Sequence, residues 1–85
     1  MTTPTLTVGV ISDTHGLLRP EALLALEGSQ VILHAGDIGG SDVLEELSRI
    51  APVLAVRGNT DGGWARLLPE RRRLELGGLA VLLLH

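Results

Sequence analysis

Five polar residues of metal-ligand type stand at or just beyond the end of an apolar run of the chain. They are Asp13, His15, Asp37, Asn59 and His85. Carboxylate, imidazole and amide oxygen donors together form a mixed nitrogen and oxygen set that suits manganese, iron, zinc, nickel or magnesium. The pattern therefore predicts a divalent-metal site, provided that the fold brings these side chains together.

The apolar runs that precede these residues have the length and composition of short strands. They are Leu6–Ser12, Val31–Ala35, Pro52–Val56 and Leu79–Leu84. Short, continuous apolar runs are typical of strands that are buried on both faces of a sheet. Adjacent parallel strands lie about 4.8 Å apart, and ligands of open α/β sheets bind beyond the carboxyl ends of the strands. Convergence of the polar residues at that edge is the central prediction.

The segments between the strands predict the rest of the fold. Apolar residues at helical spacing follow Pro20, and a second such segment follows Ser41, which is the candidate cap of that helix. Residues Arg71–Leu76 alternate in the manner of a strand, and Gly77-Gly78 is a two-residue hairpin signal. The order β-α-β-α-β-β-β predicts an α/β protein with a mostly parallel sheet, crossover helices and a terminal β-hairpin.

Each candidate ligand also has an ordinary explanation when it is taken alone. Asp13 and Asp37 could cap a helix or a turn, and His15 could be a surface loop residue. Asn59 follows a glycine, as turn residues often do, and His85 could be a frayed end. Their joint placement at four strand ends is much harder to explain by chance, so we favour the metal site.

Composition and charge exclude several classes of function. The 85 residues include seven arginines, no lysine and ten acids, for a formal charge of −3, so a general nucleic-acid surface is not expected. The apolar runs fall far short of the ~20 residues that a membrane helix needs, so no membrane partner is expected. The absence of cysteine excludes disulfides and zinc–thiolate sites, and it fits a reducing compartment, which we expect to be the cytoplasm.

Three short motifs, in order along the chain, carry a family resemblance. Asp13-Thr14-His15 matches D-x-H, Gly36-Asp37 matches G-D, and Gly58-Asn59 opens a match to G-N-x-[D/E]. This set resembles the signature of the calcineurin-like metallophosphoesterases and is most similar to the small phosphodiesterases of the YfcE type. The resemblance covers nearly the whole chain, through the RLELGG hairpin to the final LLLH.

The resemblance implies an αββα sandwich with two divalent ions at the strand ends, usually manganese, with nickel, iron, zinc or magnesium as alternatives. It implies that Asp13 and His15 bind the first ion and that Asp37 bridges both. Asn59 would bind the second ion, joined by His85. The implied reaction is hydrolysis of a phosphate ester, expected to be a phosphodiester, by a metal-activated hydroxide. Asp37 and Asn59 would then be catalytic through the ions they hold.

Two departures from the family pattern qualify this expectation. Thr60 stands where many relatives have a histidine that assists the leaving group, and a hydroxyl cannot act as an acid near neutral pH. The final G-H-x-H motif of the family is expected beyond His85, so residues 1–85 are predicted to be the amino-terminal part of a single metallophosphoesterase domain. The alternatives are a catalytically incomplete fragment or a non-catalytic module that binds metal or phosphate. The apolar last strand also predicts a homo-oligomer.

Five further polar residues are assigned supporting roles. His34 lies inside a strand pattern, so it is predicted to be a buried, hydrogen-bonded residue or a partner of a ligand rather than a ligand itself. Asp61 is predicted to orient Asn59 or to cap a turn. The arginines Arg71–Arg73 are predicted to be solvated or to protect a sheet edge, with contact to substrate phosphate as the minority interpretation.

Overall fold

The computed structural model describes residues 5–85, and its elements follow the predicted order. The strands are β1 (Val8–Ile11), β2 (Val31–His34), β3 (Val53–Ala55), β4 (Arg71–Leu76) and β5 (Leu79–Leu84); the helices are α1 (Pro20–Leu26) and α2 (Ser41–Ser48), and a short 3₁₀ turn spans Gly63–Ala65. The predicted α/β class, with a parallel sheet, crossover helices and a final hairpin, is confirmed.

The first three strands form a parallel sheet in the order β1-β2-β3. In the register of this sheet, Ile11 lies opposite His34, and His34 lies opposite Ala55. The three strands therefore end level with one another. The loops that follow them must leave the sheet at the same edge, which is the geometry that the strand-end prediction requires.

The central strand β2 is buried on both faces. Ile32 belongs to an apolar cluster with Val43 and Leu47 of α2, so this face of the sheet is covered by helices. Val31 and Leu33 belong to a second cluster that faces the opposite way and includes residues of the hairpin. Because β2 separates the two clusters, the fold has three layers in the order α, β, β, which are three of the four layers of an αββα sandwich.

The hairpin forms a sheet of its own and packs on the parallel sheet through one face. Gly77 and Gly78 both have positive φ values, 57° and 84°, as a two-residue type I′ turn requires. Leu83 is buried against the parallel sheet, whereas Leu82 and Leu84 are 51% and 52% exposed on the other face. A homo-oligomer that covers this outer face stays a prediction.

The start of helix α2 differs slightly from the prediction. Helix α2 begins at Ser41 with Gly40 in the capping position and without a capping side chain, so the prediction of a Ser41 cap is wrong by one residue. Within residues 5–85, no helix has both the length and the apolar composition that crossing a membrane would require.

Candidate metal centre

Three of the predicted ligands meet at the carboxyl edge of the parallel sheet. Asp13 and His15 lie in the loop after β1, and Asp37 lies in the loop after β2. One donor atom from each residue can be chosen so that all three lie within 4.8 Å of one another. The Nε2 atom of His15 is 3.8 Å from Oδ1 of Asp13. This cluster has the size and the donor types of a divalent-metal site.

The same three residues carry strained backbone conformations. Within the described chain, Asp13, His15 and Asp37 are the non-glycine residues with positive φ, at 55°, 47° and 54°. A non-glycine residue in this region is uncommon, and such strain concentrates at functional sites because it persists only when the surroundings enforce it. The coincidence of strain and donor cluster supports a functional role that neither observation would carry alone.

Backbone hydrogen bonds between the two ligand loops enforce these conformations. The N–H of Asp13 donates to the carbonyl of Gly36 at 2.9 Å, and the N–H of His15 donates to the carbonyl of Asp37 at 3.0 Å. Gly16 continues the series by donating to Ile38 at 2.7 Å. The two loops are thus joined residue by residue, and their ligands are held in a fixed relation before any ion binds.

Asp37 is the buried member of the group and lies next to His85. Its side chain is 10% exposed, and its Oδ1 accepts a hydrogen bond from the N–H of Thr60 at 2.9 Å. That hydrogen bond lowers the pKa of Asp37; burial opposes the effect, and the nearby His85 and His15 reinforce it. Asp37 is therefore ionised at neutral pH, as a metal ligand must be.

His85, at the end of β5, is oriented as a ligand would be. Its Nδ1 lies 2.8 Å from the carbonyl oxygen of Ala35, which can only accept, so Nδ1 carries the hydrogen in this contact. Its Nε2 lies 3.4 Å from Oδ2 of Asp37. In this tautomer the Nε2 lone pair faces a carboxylate oxygen, an arrangement that a cation bound between them would stabilise. His85 thus places a second imidazole beside the Asp37 carboxylate.

Asn59 lies close in space to Asp37 and His85. Its neighbours in the chain, Gly58 and Thr60, both contact Asp37. Asn59 itself is exposed and lines a polar cleft of about 480 Å³ together with His85 and Arg57. The structure thus brings Asp13, His15 and Asp37 into one donor group, brings His85 onto Asp37, and places Asn59 at the adjoining cleft.

The motif glycines are required because the loops approach one another closely. A Cβ atom on Gly36 would lie 2.8 Å from the nitrogen of Gly58 and 2.9 Å from Nδ1 of His85. A Cβ atom on Gly58 would overlap both the carboxylate and the backbone nitrogen of Asp37. The loops that carry the G-D and G-N motifs therefore pack backbone against backbone next to Asp37, and neither glycine leaves room for a side chain.

Asp61 ties the loop after β3 to the loop after β2. Its Oδ1 accepts hydrogen bonds from the N–H groups of Ile38 at 2.8 Å and Gly39 at 3.1 Å. Its Oδ2 accepts from the N–H of Gly58 at 2.8 Å. Asp61 caps two loops at once, which is more than the turn-capping role predicted for it. The signal in the sequence is the final acidic position of the G-N-x-[D/E] motif.

His34 is fully buried and hydrogen-bonded, as the sequence indicates, and it is not part of the donor cluster. Its Nδ1 accepts from the N–H of Gly36 at 3.1 Å, and its Nε2 lies 3.0 Å from Oγ1 of Thr14. Burial lowers the pKa of His34 below its ordinary value of 6.5, against the opposing effect of the Asp61 and Asp13 charges. Thr14 occupies the variable position of the D-x-H motif, so the sequence pattern gives no signal for its contact with His34.

Comparison with known proteins identifies the family. Residues 6–85 match the calcineurin-like phosphoesterase superfamily domain. Because this match covers nearly the whole chain, the chain belongs to that superfamily. The family assignment drawn from the D-x-H, G-D and G-N-x-D motifs is confirmed.

Curated relatives agree with this assignment. A probable metallophosphoesterase of Methanothermobacter thermautotrophicus is 42% identical over 83 residues, which cover 92% of this chain and 48% of that protein. A probable metallophosphoesterase of Methanocaldococcus jannaschii is 34% identical over 86 residues, which cover 95% of this chain and 43% of that protein. The chain spans about half the length of the curated relatives it matches.

Solved structures show the same fold. A single mutant of Vps29 from Entamoeba histolytica superposes with a TM-score of 0.74 at 28% identity, over 92% of this chain and 47% of that chain. Vps29 from Chaetomium thermophilum superposes with a TM-score of 0.78 over 92% of this chain and 45% of that chain; at 22% identity it supports the fold alone.

Proposed function

We propose that this protein hydrolyses phosphodiesters at a pair of divalent cations held at the carboxyl edge of the parallel sheet. Asp13 and His15 would bind one cation, Asn59 and His85 the other, and Asp37 both. The observation that carries the proposal is the Asp13, His15 and Asp37 donor group, built from three strained residues on joined loops. As part of the same proposal, residues 1–85 are the amino-terminal part of a single domain.

The residues of this chain have the properties that such a reaction needs. When bound, paired cations supply Lewis-acid polarisation of the phosphoryl oxygens and lower the pKa of water near them. Asp37 stays ionised and offers two carboxylate oxygens, of which Oδ2 faces His85. Thr60 cannot protonate a leaving group near neutral pH, so we expect aryl esters, whose leaving groups need no acid, to react best.

Manganese is the metal we propose, with nickel, iron, zinc or magnesium as alternatives. The donor set consists of carboxylate, imidazole and amide groups and contains no thiolate, because the sequence has no cysteine. This set suits borderline and hard divalent ions. A cytoplasmic location is also part of the proposal, and the support for it is the same lack of cysteine.

Calorimetric titration of the metal-free 85-residue chain with Mn²⁺ tests the proposal, followed by assay with bis(4-nitrophenyl) phosphate. We expect stoichiometric Mn²⁺ binding near pH 7, diester hydrolysis that exceeds hydrolysis of 4-nitrophenyl phosphate, and loss of both properties in Asp37→Asn. Asp42→Asn is the matched control, because it removes an exposed carboxylate from the first turn of α2. Absence of Mn²⁺ binding by the wild-type chain would contradict the proposal.

A second candidate function is metal or phosphate binding without turnover. It is favoured by one observation, that the chain spans about half the length of its curated relatives. This candidate predicts the same Mn²⁺ binding as the first but no hydrolysis of either ester. The assay therefore separates the two functions once binding has been established.

A further inference from the structure

We propose that His34 and Thr14 form a hydrogen-bonded relay that sets the spacing between the two ligand-bearing loops. His34 would be a positioning residue, acting through Thr14 on the affinity of the site for its metal. The inference rests on the proposed function, because it assigns the relay a role in holding Asp13, His15 and Asp37 for a cation.

The hydrogen-bond directions within the relay are fixed by its two ends. The N–H of Gly36 can only donate, so Nδ1 of His34 must accept and carries no hydrogen. The carbonyl of Ile38 can only accept, so the Thr14 hydroxyl spends its one hydrogen there, at 2.7 Å. The Oγ1 of Thr14 must then accept from Nε2–H of His34, at 3.0 Å. Both ring nitrogens of His34 and the hydroxyl of Thr14 are therefore hydrogen-bonded, and one placement of the hydrogens satisfies all three bonds.

The relay joins the residues that flank the ligands. Thr14 lies between Asp13 and His15 in the first loop. Gly36 and Ile38, the two backbone ends of the relay, lie on either side of Asp37 in the second loop. Because the three candidate ligands are strained, a shift of either loop would let their backbone relax and would separate their donor atoms. The relay resists that shift.

A role in packing alone does not account for His34. The side chain lies at the end of β2 on the same face as Ile32, against an otherwise apolar cluster in which a branched aliphatic residue would pack well. Burying an imidazole there is unfavourable unless both ring nitrogens are hydrogen-bonded. Both of them are bonded, and both bonds lead to the ligand loops. Groups that hydrogen-bond a metal ligand commonly change metal affinity by about 10–100-fold when they are removed, and we expect the relay, which holds the ligand loops instead, to act at the lower end of that range.

Four substitutions separate the contributions of the relay. Thr14→Val removes the hydroxyl at nearly constant shape, whereas Thr14→Ser retains it. His34→Asn places an amide oxygen near the position of Nδ1 and keeps the Gly36 bond, but it cannot reach Thr14. His34→Gln places its amide near Nε2 and keeps the bond to Thr14 while losing the bond to Gly36. Of the two hydrogen bonds made by His34, only the bond to Thr14 reaches the first loop, so the two histidine variants should differ.

The experiment measures Mn²⁺ dissociation constants by calorimetry and the absorption bands of bound Co²⁺, which report the geometry of the site. We expect Thr14→Val and His34→Asn to weaken Mn²⁺ binding about 10-fold or more and to shift the Co²⁺ bands. Thr14→Ser should stay within about 3-fold of the wild type, with His34→Gln between these limits. Val31→Ala is the control for lost stability, because Val31 is buried at the amino end of β2, at the opposite edge of the sheet from both loops. It should lower the melting temperature and leave the dissociation constant unchanged.

The outcomes distinguish failure of the relay from failure of the proposed function. Absence of Mn²⁺ binding by the wild type would overturn the proposed function and the role of the relay with it. Wild-type binding that persists in Thr14→Val and His34→Asn, or that weakens equally in Val31→Ala, would overturn the relay alone. A long-range ¹H–¹⁵N spectrum of metal-free protein gives an independent check: a hydrogen on Nδ1 of His34 would also contradict the relay.

Discussion

The carboxyl edge of the parallel sheet and the hairpin are built in opposite ways. At the sheet edge, backbone groups of different loops bond to one another, glycines allow close crossings, and non-glycine residues are held at positive φ. In the hairpin, side chains alternate regularly, and positive φ is confined to the two turn glycines among the described residues. Its exposed face is mixed, because Leu82 and Leu84 of β5 lie opposite Arg73 and Arg71 of β4. The hairpin contributes His85 to the site from its last position.

This difference indicates where the molecule should tolerate change. The sheet edge has several loops that determine one another's positions, so a single added carbon should disturb all of them. The hairpin is a local pairing of neighbouring strands, so its outer face should accept substitution at little cost.

The largest effect is expected from Gly58→Ala. The added carbon would overlap the carboxylate and backbone nitrogen of Asp37, so the loop after β3 must move away from the site. We expect Mn²⁺ binding to be lost, as measured by calorimetry on the folded fraction. Gly62→Ala is the matched control, because no atom beyond its chain neighbours lies within 4 Å of the added carbon and φ is −91° there. Similar Mn²⁺ binding by Gly58→Ala and Gly62→Ala would show that the close approach of the loops after β2 and β3 is not needed for metal binding.

A smaller effect should separate the two faces of the hairpin. Leu83→Ala removes a buried side chain between the sheets and should lower the free energy of unfolding by about 2–5 kcal/mol. Leu82→Ala, one residue away on the outer face, should change it by less than about 1 kcal/mol. Urea denaturation of both variants gives the comparison. If the two losses were equal, the outer face would have to be covered in solution, as a homo-oligomer would do.

Asp61→Asn should give the next effect, on the link between two loops. The amide oxygen of the asparagine can still accept a hydrogen bond from one of the two loops. Its NH₂ group then faces a backbone N–H of the other loop, where no hydrogen bond can form. Because hydrogen bonds to charged groups contribute roughly 1.5–3 kcal/mol, we expect a destabilisation of about that size in urea denaturation. Asp42→Asn serves as the control on an exposed carboxylate. An unchanged stability in Asp61→Asn would show that the bridge is not needed.

The smallest effect concerns pH and His34. Burial lowers its pKa in the folded protein, so below the ordinary value of 6.5 the unfolded chain binds a proton that the folded chain does not. The contribution of neutral His34 to the free energy of unfolding is therefore complete above pH 6.5, the ordinary pKa of histidine. This contribution is lost as the pH falls through the pKa of His34 in the folded protein. We expect the melting temperature of the wild type to fall more steeply between pH 7 and 5 than that of His34→Gln. Parallel profiles would contradict the buried, neutral state of His34.

Much of the fold could be predicted because its signals are local. Apolar runs, Pro20 at the start of α1 and the Gly77-Gly78 turn each specify structure within a few residues, and the element order followed from them. The polar residues at strand ends pointed to a shared edge because parallel strands impose it. The one-residue error at Ser41 arises because both serine and glycine are common N-cap residues, so the adjacent Gly40 and Ser41 both fit the start of α2.

The contacts that define the site could not be predicted, because they join residues distant in sequence. Thr14 contacts His34 and Ile38, at separations of 20 and 24 residues, and Asp61 bonds to Ile38 at a separation of 23. Positive φ is ordinarily assigned to glycine, so strain at Asp13 and Asp37 had no local signal. Only the folded sheet edge shows which loops face each other.

Anomalous diffraction from crystals of this chain grown with Mn²⁺ tests the central claim most directly. The account predicts two manganese peaks about 3.5–4 Å apart, with the Asp37 carboxylate between them. One peak should contact Asp13 and His15, and the other should contact Asn59 and His85. Manganese bound away from Asp37, or no ordered manganese at a saturating concentration, would contradict it.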